Sequence, residues 1–482
     1  MPVDSPTKAP APPTSKDSVA PGLASVSRWV PLALVSLLPL LFLRQALSPV
    51  SDPDTFWHMR AGQYLWETGR FVGPEPWSRF SGEPWILHEW LPELAYYFGS
   101  EYGGLPAVAW LSVTCIVTFY LVLYWAARQF AAILPAALAA VAGWVGASGS
   151  LSPRPQIVSF MLLTVFTVAW LRTARDLKPR WWLIPVTWVW ACSHGMWFTG
   201  VAVGLAACLG LILDRRVGLR EAARLSAIPA LGVMAAALTP VGPTLLLAPL
   251  KIGDYRKYIT EWAAPELLDT QVLTVIVLIA VIVIAWARGA SRAEWNHIGI
   301  FAVGVGWTLL YIRTVPLGAA MLTPLAAIGL QSMLPQGTVR WQRAERVSVI
   351  GGAGASLVIA ALLAPSVAGN PGRMPIGLDD SLSKLPHGTV VFNDYMLGGW
   401  LYWQHRQLAP VIDPRTEVYT VPYVDAYMAA RRAAPGWERT LATTGATVAV
   451  LRSNSPLAYA LRNQHGWTLR DEDHGYALLE RP

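Results

Sequence analysis

Charge is what this sequence has least of. Only 14% of its 482 residues are charged and 54% are hydrophobic, whereas soluble globular proteins carry roughly 25% charged residues. With a mean hydropathy of +0.39, that shortfall excludes an ordinary soluble domain and points to a polytopic membrane protein. Cysteine is scarcer still. Cys115, Cys192 and Cys208 are the three present, all in apolar stretches, so no disulfide framework or zinc spacing can be built and they read as small core residues. The first 25 residues have no apolar run and are rich in Pro, Ala and Ser. Residues 1–28 are therefore expected to be a disordered cytoplasmic tail, with no cleaved signal peptide and a retained first span from residue 29. No internal repeat or broken helix of the transporter kind stands out.

What is present is apolar length. Runs long enough to cross a bilayer fall near 29–48, 104–126, 131–149, 157–173, 181–195, 197–213, 225–241, 270–287, 296–312, 315–333 and 347–365. The expectation is an α-helical membrane domain over 29–365 with about eleven spans by that length criterion. Net charge is +7, and its arrangement carries the information. One set of short loops holds Arg128; Arg172, Arg175, Lys178 and Arg180; Arg215, Arg216, Arg220 and Arg224; Arg288 and Arg292; and Arg340, Arg343 and Arg346, while the other set holds mainly Arg154 and Arg313. The basic set faces the cytoplasm by the positive-inside rule. That puts the N-terminus inside and makes loop 51–103, segment 242–270 and residues 366–482 extracytoplasmic, in a cell inner (plasma) membrane. The basic balance thus reports membrane orientation and membrane lipids, with no nucleic acid as partner.

The last stretch, 366–482, changes character. Short β-rich runs at 389–392, 410–412, 446–451, 467–470 and 476–479 alternate with helical patterns near 396–405, 421–433, 435–444 and 455–464. Such alternation predicts a small α/β domain. Gly398 and Gly399 in it permit a close approach to another surface, and Asp413 and Arg415 are candidates for acceptor binding or loop support.

Loop 51–103 is too rich for a connector. It brings Asp52, Asp54, His58, Arg60, His88 and Glu89 together with Trp57, Trp66, Trp77, Trp85 and Trp90. The 24 tryptophans of the chain suit interfacial belts and sugar-stacking surfaces alike. Asp52-Pro53-Asp54 opens a helix and Gly69 stops it, so Asp52 serves as cap or as chemistry. Asp54 and His58 sit one turn apart on one face, a spacing suited to a base and its partner. His88 and Glu89 precede an amphipathic segment at 91–98 expected to lie on the membrane surface. Asp52, Asp54, His58, His88 and Glu89 also include ligand types for a divalent cation, although their spacing matches no specific metal signature. On the same face, Arg154, Lys251, Arg256, Lys257 and Arg313 are the available cations. His194 and Glu261 lie in neighbouring outer connections.

The phrases DPDTFWHMRAGQYL, GEPWILHEWL, SPRPQ, ITEWAAPE, NDYMLGGWLYW and VIDPRTEVY resemble those of bacterial members of the GT-C superfamily. These are integral membrane glycosyltransferases using polyprenyl-phosphate-linked sugars, and the likeness runs from residue 29 to nearly the end. It implies an acidic base in the first loop (Asp54, or Asp52) and inverting displacement at the sugar. It also implies cations for the lipid phosphate (Arg154, Lys257 and Arg313) and a glycan, lipid or protein acceptor of cell-envelope glycan biosynthesis. The chain lacks a WWD motif of the oligosaccharyltransferase kind, so the likeness does not extend to an asparagine sequon. Two other functions fit the composition: a lipid or solute transporter (or flippase), and a sugar-lipid-binding protein without activity.

Overall fold

The structure is a computed structural model that describes residues 32–482 apart from 34, 44–45, 248–251 and 335–338. The expected tail 1–28 and Lys251 lie outside the described residues. The chain is mostly helical, because a backbone inside a bilayer must satisfy every N–H and C=O internally. Helix α1 (Pro53–Thr68) precedes α2 (Trp90–Arg128), and a short hairpin of β1 (Val72–Gly73) and β2 (Trp85–Ile86) lies between them. The bundle continues through α3 (Ile133–Ala147), α4 (Gln156–Asp176), α5 (Leu183–Ala191), α6 (Phe198–Leu213) and α7 (Leu219–Ala237). It closes with α8 (Thr270–Ala287), α9 (Trp295–Leu310), α10 (Val315–Met333) and α11 (Arg343–Val367).

Among the described residues, seven helices are long and apolar enough to cross a membrane. The expected span at 181–195 is a different object. Its helix α5 has nine residues, about 14 Å at the α-helical rise, which is half the hydrocarbon thickness. The segment at 91–98, expected to lie on the membrane surface, is the first part of α2, which breaks at Gly104 (φ 63°), a conformation glycine adopts without strain.

Hydrogen bonds between distant connections define two ends of the bundle. At one end Arg128 Nε lies 2.6 Å from Glu345, which also accepts from Tyr124. At the same end Asp214 accepts the backbone N–H groups of Trp295 and Asn296 that open α9, and Arg216 pairs with Glu294. This is the arginine-rich end. At the other end the chain entering α2 donates to the Cys192 carbonyl, and Ile312 donates to the Ala263 carbonyl. Loop 51–103 and the C-terminal part belong here.

After α11 the expected α/β region forms a five-stranded sheet in the order β4-β3-β5-β7-β6. Its strands are β3 (Val390–Asn393), β4 (Ala409–Pro410), β5 (Val448–Arg452), β6 (Thr468–Asp473) and β7 (Tyr476–Glu480). Strand β3 runs parallel to β4 and β5, and β7 runs antiparallel to β5 and β6. Helix α12 (Asp379–Ser383) precedes the sheet, and α13 (Gly398–Gln404), α14 (Val421–Arg431), α15 (Trp437–Thr444) and α16 (Pro456–Gln464) connect its strands. Gly399 at the start of α13 sits directly on the carbonyl of Pro53 and against Trp57, with no room for a Cβ. Gly399 thus brings the sheet region into backbone contact with the first turn of α1, while Gly398 packs on the Ile412 carbonyl and the Asp413 backbone within that region.

A buried cation locks the same interface. Arg415, fully buried, lies 2.8 Å from Asp413 and 2.9 Å from Glu75 of the first loop. The rings of Trp77 and Trp85 flank it at 4.5 and 5.0 Å, within cation–π range. Tyr419 donates to the other Asp413 oxygen at 2.6 Å.

Candidate active site

Local sequence sets the geometry of α1. The Asp52 carboxylate accepts the N–H of Asp54 at 3.0 Å, Pro53 occupies the first turn, and Gly69 closes the helix in the left-handed region at φ 65°. This start is tied to the connection between α3 and α4 by Thr55, whose hydroxyl donates to the Pro153 carbonyl. The next residue, Arg154, is thereby delivered to the acids of α1.

Arg154 is the centre of a knot of charge. Its Nε lies 2.6 Å from Asp52 Oδ2, one terminal nitrogen 3.2 Å from Asp54 Oδ2, and the other 2.8 Å from Glu261 Oε1. Glu261 reaches on to Arg313 at 3.6 Å. Three carboxylates therefore face two guanidiniums. Asp54 also accepts from Trp57 Nε1 at 3.2 Å. Burial raises the Asp54 carboxyl above its ordinary value; Arg154 opposes the rise, and the like charge of Asp52 adds to it. Loss of water is the largest influence on this carboxyl.

Asp54 and His58 share a helix but not a hydrogen bond. His58 Nδ1 lies 3.0 Å from Glu93 Oε1 and its Nε2 lies 3.8 Å from Glu89, while Trp57 stacks on its ring at 3.7 Å. His88 and His194 approach Glu89 at 3.4 and 3.5 Å, and Ser159 links His194 to Trp190. His88 is held up at about 9: burial alone would lower it, and the hydrogen bond and charge of Glu89 reverse that. Glu93 is raised by burial, against the pull of His58. Of the five expected cation ligands, four divide in two groups and His88 stays outside both, against Glu89. Asp52 and Asp54 face Arg154, whereas His58 and Glu89 join Glu93 in a group whose donor atoms lie within 4.8 Å of one another.

The remaining candidates fall in three places. Arg313 is in the knot, and its Nε is a buried donor without an acceptor, as is Nε1 of Trp262, over whose ring the guanidinium sits at 5.8 Å. Lys257 lies apart, in an exposed pair with Asp425 at 2.9 Å. Asp413 and Arg415 form the buried lock described above, so they support the loop from inside the fold. Glu75 and Glu93 escaped the sequence reading. A signal for Glu93 exists: it stands four residues after Glu89, one helical turn on.

Beside the knot is a cavity of about 330 Å³, lined among others by Ser48, Ser51, Asp52, Ser112, Ser152 and Arg373. It opens where the first span, α2 and the Arg154 connection meet.

No family model matches the chain, and no curated protein matches it by sequence. Solved structures do match by fold. The archaeal oligosaccharyltransferase AglB from Archaeoglobus fulgidus, in complex with an inhibitory peptide and a dolichol-phosphate, aligns with a TM-score of 0.62 at 9% identity, over 89% of this chain and 70% of that one. The apo form of an oligosaccharyltransferase from the same organism gives 0.58 at 12% identity, over 88% and 70%. ArnT from Cupriavidus metallidurans in the apo state gives 0.53 at 14% identity, over 94% and 98%. The architecture is accordingly the GT-C fold that the sequence resembles, in a multi-pass membrane protein.

Proposed function

We propose that the chain is a membrane glycosyltransferase that moves a sugar from a polyprenyl-phosphate donor to an acceptor hydroxyl, with Asp54 as general base. The observation that carries this reading is the knot itself. Four separate stretches of chain meet in it at one end of the bundle, beside a cavity: the start of α1 and Glu261 contact Arg154, and Arg313 joins through Glu261. The GT-C fold supports the reaction class, and the dolichol-phosphate held by the archaeal neighbour supports the donor class.

In this reading Asp54 takes the acceptor proton as its oxygen attacks the anomeric carbon from the face opposite the phosphate. The new O–C bond forms while the C–O bond to the lipid phosphate breaks, and that electron pair leaves on the phosphate with inversion at carbon. Asp54 suits the task better than Asp52. Both oxygens of Asp52 are committed, one to the helix cap and one to Arg154 at 2.6 Å, whereas the contacts of Asp54 are longer. A raised carboxyl is also a better base near neutral pH. Arg313 and Trp262 offer the leaving phosphate the buried N–H donors that the protein leaves unmatched, and charge-assisted bonds to phosphate are strong. The reaction face is extracytoplasmic, with the N-terminus cytoplasmic.

The test is turnover of a polyprenyl-phosphate sugar in proteoliposomes. Asp54→Asn is expected to slow transfer by roughly 10²–10⁴-fold, the range for a positioned general base, with lipid-phosphate binding retained. Turnover that survives Asp52→Asn and Asp54→Asn together defeats the assignment. Movement of lipid across the bilayer without a new glycosidic bond replaces it with transport.

A further inference from the structure

We propose that His58, Glu89 and Glu93 bind a divalent transition-metal ion, zinc first among them, which fastens α1 to the start of α2. This site is separate from the Arg154 knot and goes beyond the transferase reading. One imidazole nitrogen and one oxygen from each carboxylate lie within 4.8 Å of one another; Glu93 faces Nδ1 at 3.0 Å and Glu89 faces Nε2 at 3.8 Å, so the two carboxylates share a single nitrogen once one of them turns. Donors around tetrahedral zinc, at bonds of about 2.0–2.1 Å, stand roughly 3.3 Å apart, so small side-chain rotations close the set.

Two further observations point to an ion. Glu93 is only 2% exposed, and its Oε2 has no hydrogen-bond partner while Oε1 faces His58. A buried polar atom left unpaired is costly, and an ion in this group supplies its partner. Charge argues the same way. Buried Glu93 and partly buried Glu89 carry two negative charges as ligands; His88 beside Glu89 offsets one of them, and a cation held in the group offsets the rest. The mixed nitrogen and oxygen set suits zinc better than magnesium or calcium, which take oxygen alone.

The surroundings are built for rigidity. Gly62 of α1 packs directly on the Glu93 carbonyl, where no Cβ would fit, and brings His58 to the first turn of α2. Trp57 covers the His58 ring. His88 and His194 flank the other oxygen of Glu89, and His194 is oriented in turn by Ser159. Such outer partners fix the ligands of metal sites.

The experiment reads metal, not catalysis, so it stands or falls apart from glycosyl transfer. Full-length chain purified without chelator, on a tag lacking histidine, is expected to hold about one zinc per chain by elemental analysis, bound by three protein ligands with water in the fourth position. X-ray absorption should show a nitrogen and oxygen shell near 2.0–2.1 Å without sulfur. Glu93→Gln should weaken zinc binding by roughly tenfold or more. Should that variant fail to fold, the wild-type chain serves: EDTA should lower its thermal midpoint and added Zn²⁺ restore it. A chain that takes up no zinc on incubation overturns the proposal. So does zinc retained at wild-type affinity by a folded His58→Asn, Glu93→Gln variant.

Discussion

Two carboxylates two residues apart have been given different work by their surroundings. Asp52 spends one oxygen on its own helix and the other on Arg154; Asp54 is left with a carboxyl that burial has raised above 3.8. A base acts only when deprotonated, so activity is present above the raised value and is lost as pH falls through it. The acid limb of kcat/KM should therefore lie above 3.8. Asp52→Asn removes a like charge and leaves Arg154 to Asp54, and both effects favour the ionised form. The limb should move to lower pH, while the helix survives because asparagine caps as well as aspartate. A limb that moves upward in the pH–rate profile would count against Asp54 as the titrating base, and loss of the limb together with transfer would give the titration to Asp52. The cap and the stop at Gly69 were legible in the sequence because both are local. The partner of Asp54 was not: Arg154 is a hundred residues away, and helix spacing favoured His58, which turns instead to Glu89 and Glu93.

Between elements, the interface of α1 with α13 rests on the absence of a side chain. Gly399 touches the Pro53 carbonyl and Trp57, so Gly399→Val must push the sheet region off the turn that carries Asp54. Overpacking of this kind costs about 1–3 kcal/mol, read as a lower thermal midpoint, with transfer falling alongside. Arg415→Ala attacks the same interface through charge. It strands Asp413 and Glu75 inside an aromatic wall and should cost about 3–5 kcal/mol, as breaking a buried pair does. If Arg415→Ala leaves both stability and transfer intact, the lock does not hold the two parts together. The glycine pair was readable as a place of close approach, since only glycine gives that freedom. The Arg415 lock was not, because Glu75 sits in an irregular stretch with no periodicity to place it. The segment at 181–195 misled for the opposite reason: its composition is that of a span, but its helix ends after nine residues.

Over the whole molecule, one asymmetry organises the rest. The arginine-rich connections are tied to one another at one end, through Arg128 with Glu345 and Arg216 with Glu294. The acids and imidazoles of the first loop meet the C-terminal sheet region at the other. Basic loops are retained in the cytoplasm, so the knot, the cavity and the sheet region should all face outward. The chain allows a direct test, because Cys192 and Cys208 are buried and Cys115 partly so, and background labelling should be low. Cysteine placed at exposed Arg432, in the sheet region, should react with a membrane-impermeant maleimide in intact cells. Cysteine at exposed Arg292, between α8 and α9, should react only after permeabilisation. The reverse pattern would turn the protein over and put the knot on the side where soluble nucleotide sugars are available. The lipid-linked donor would then lose its topological support and rest on the fold and on the dolichol-phosphate of the archaeal neighbour alone.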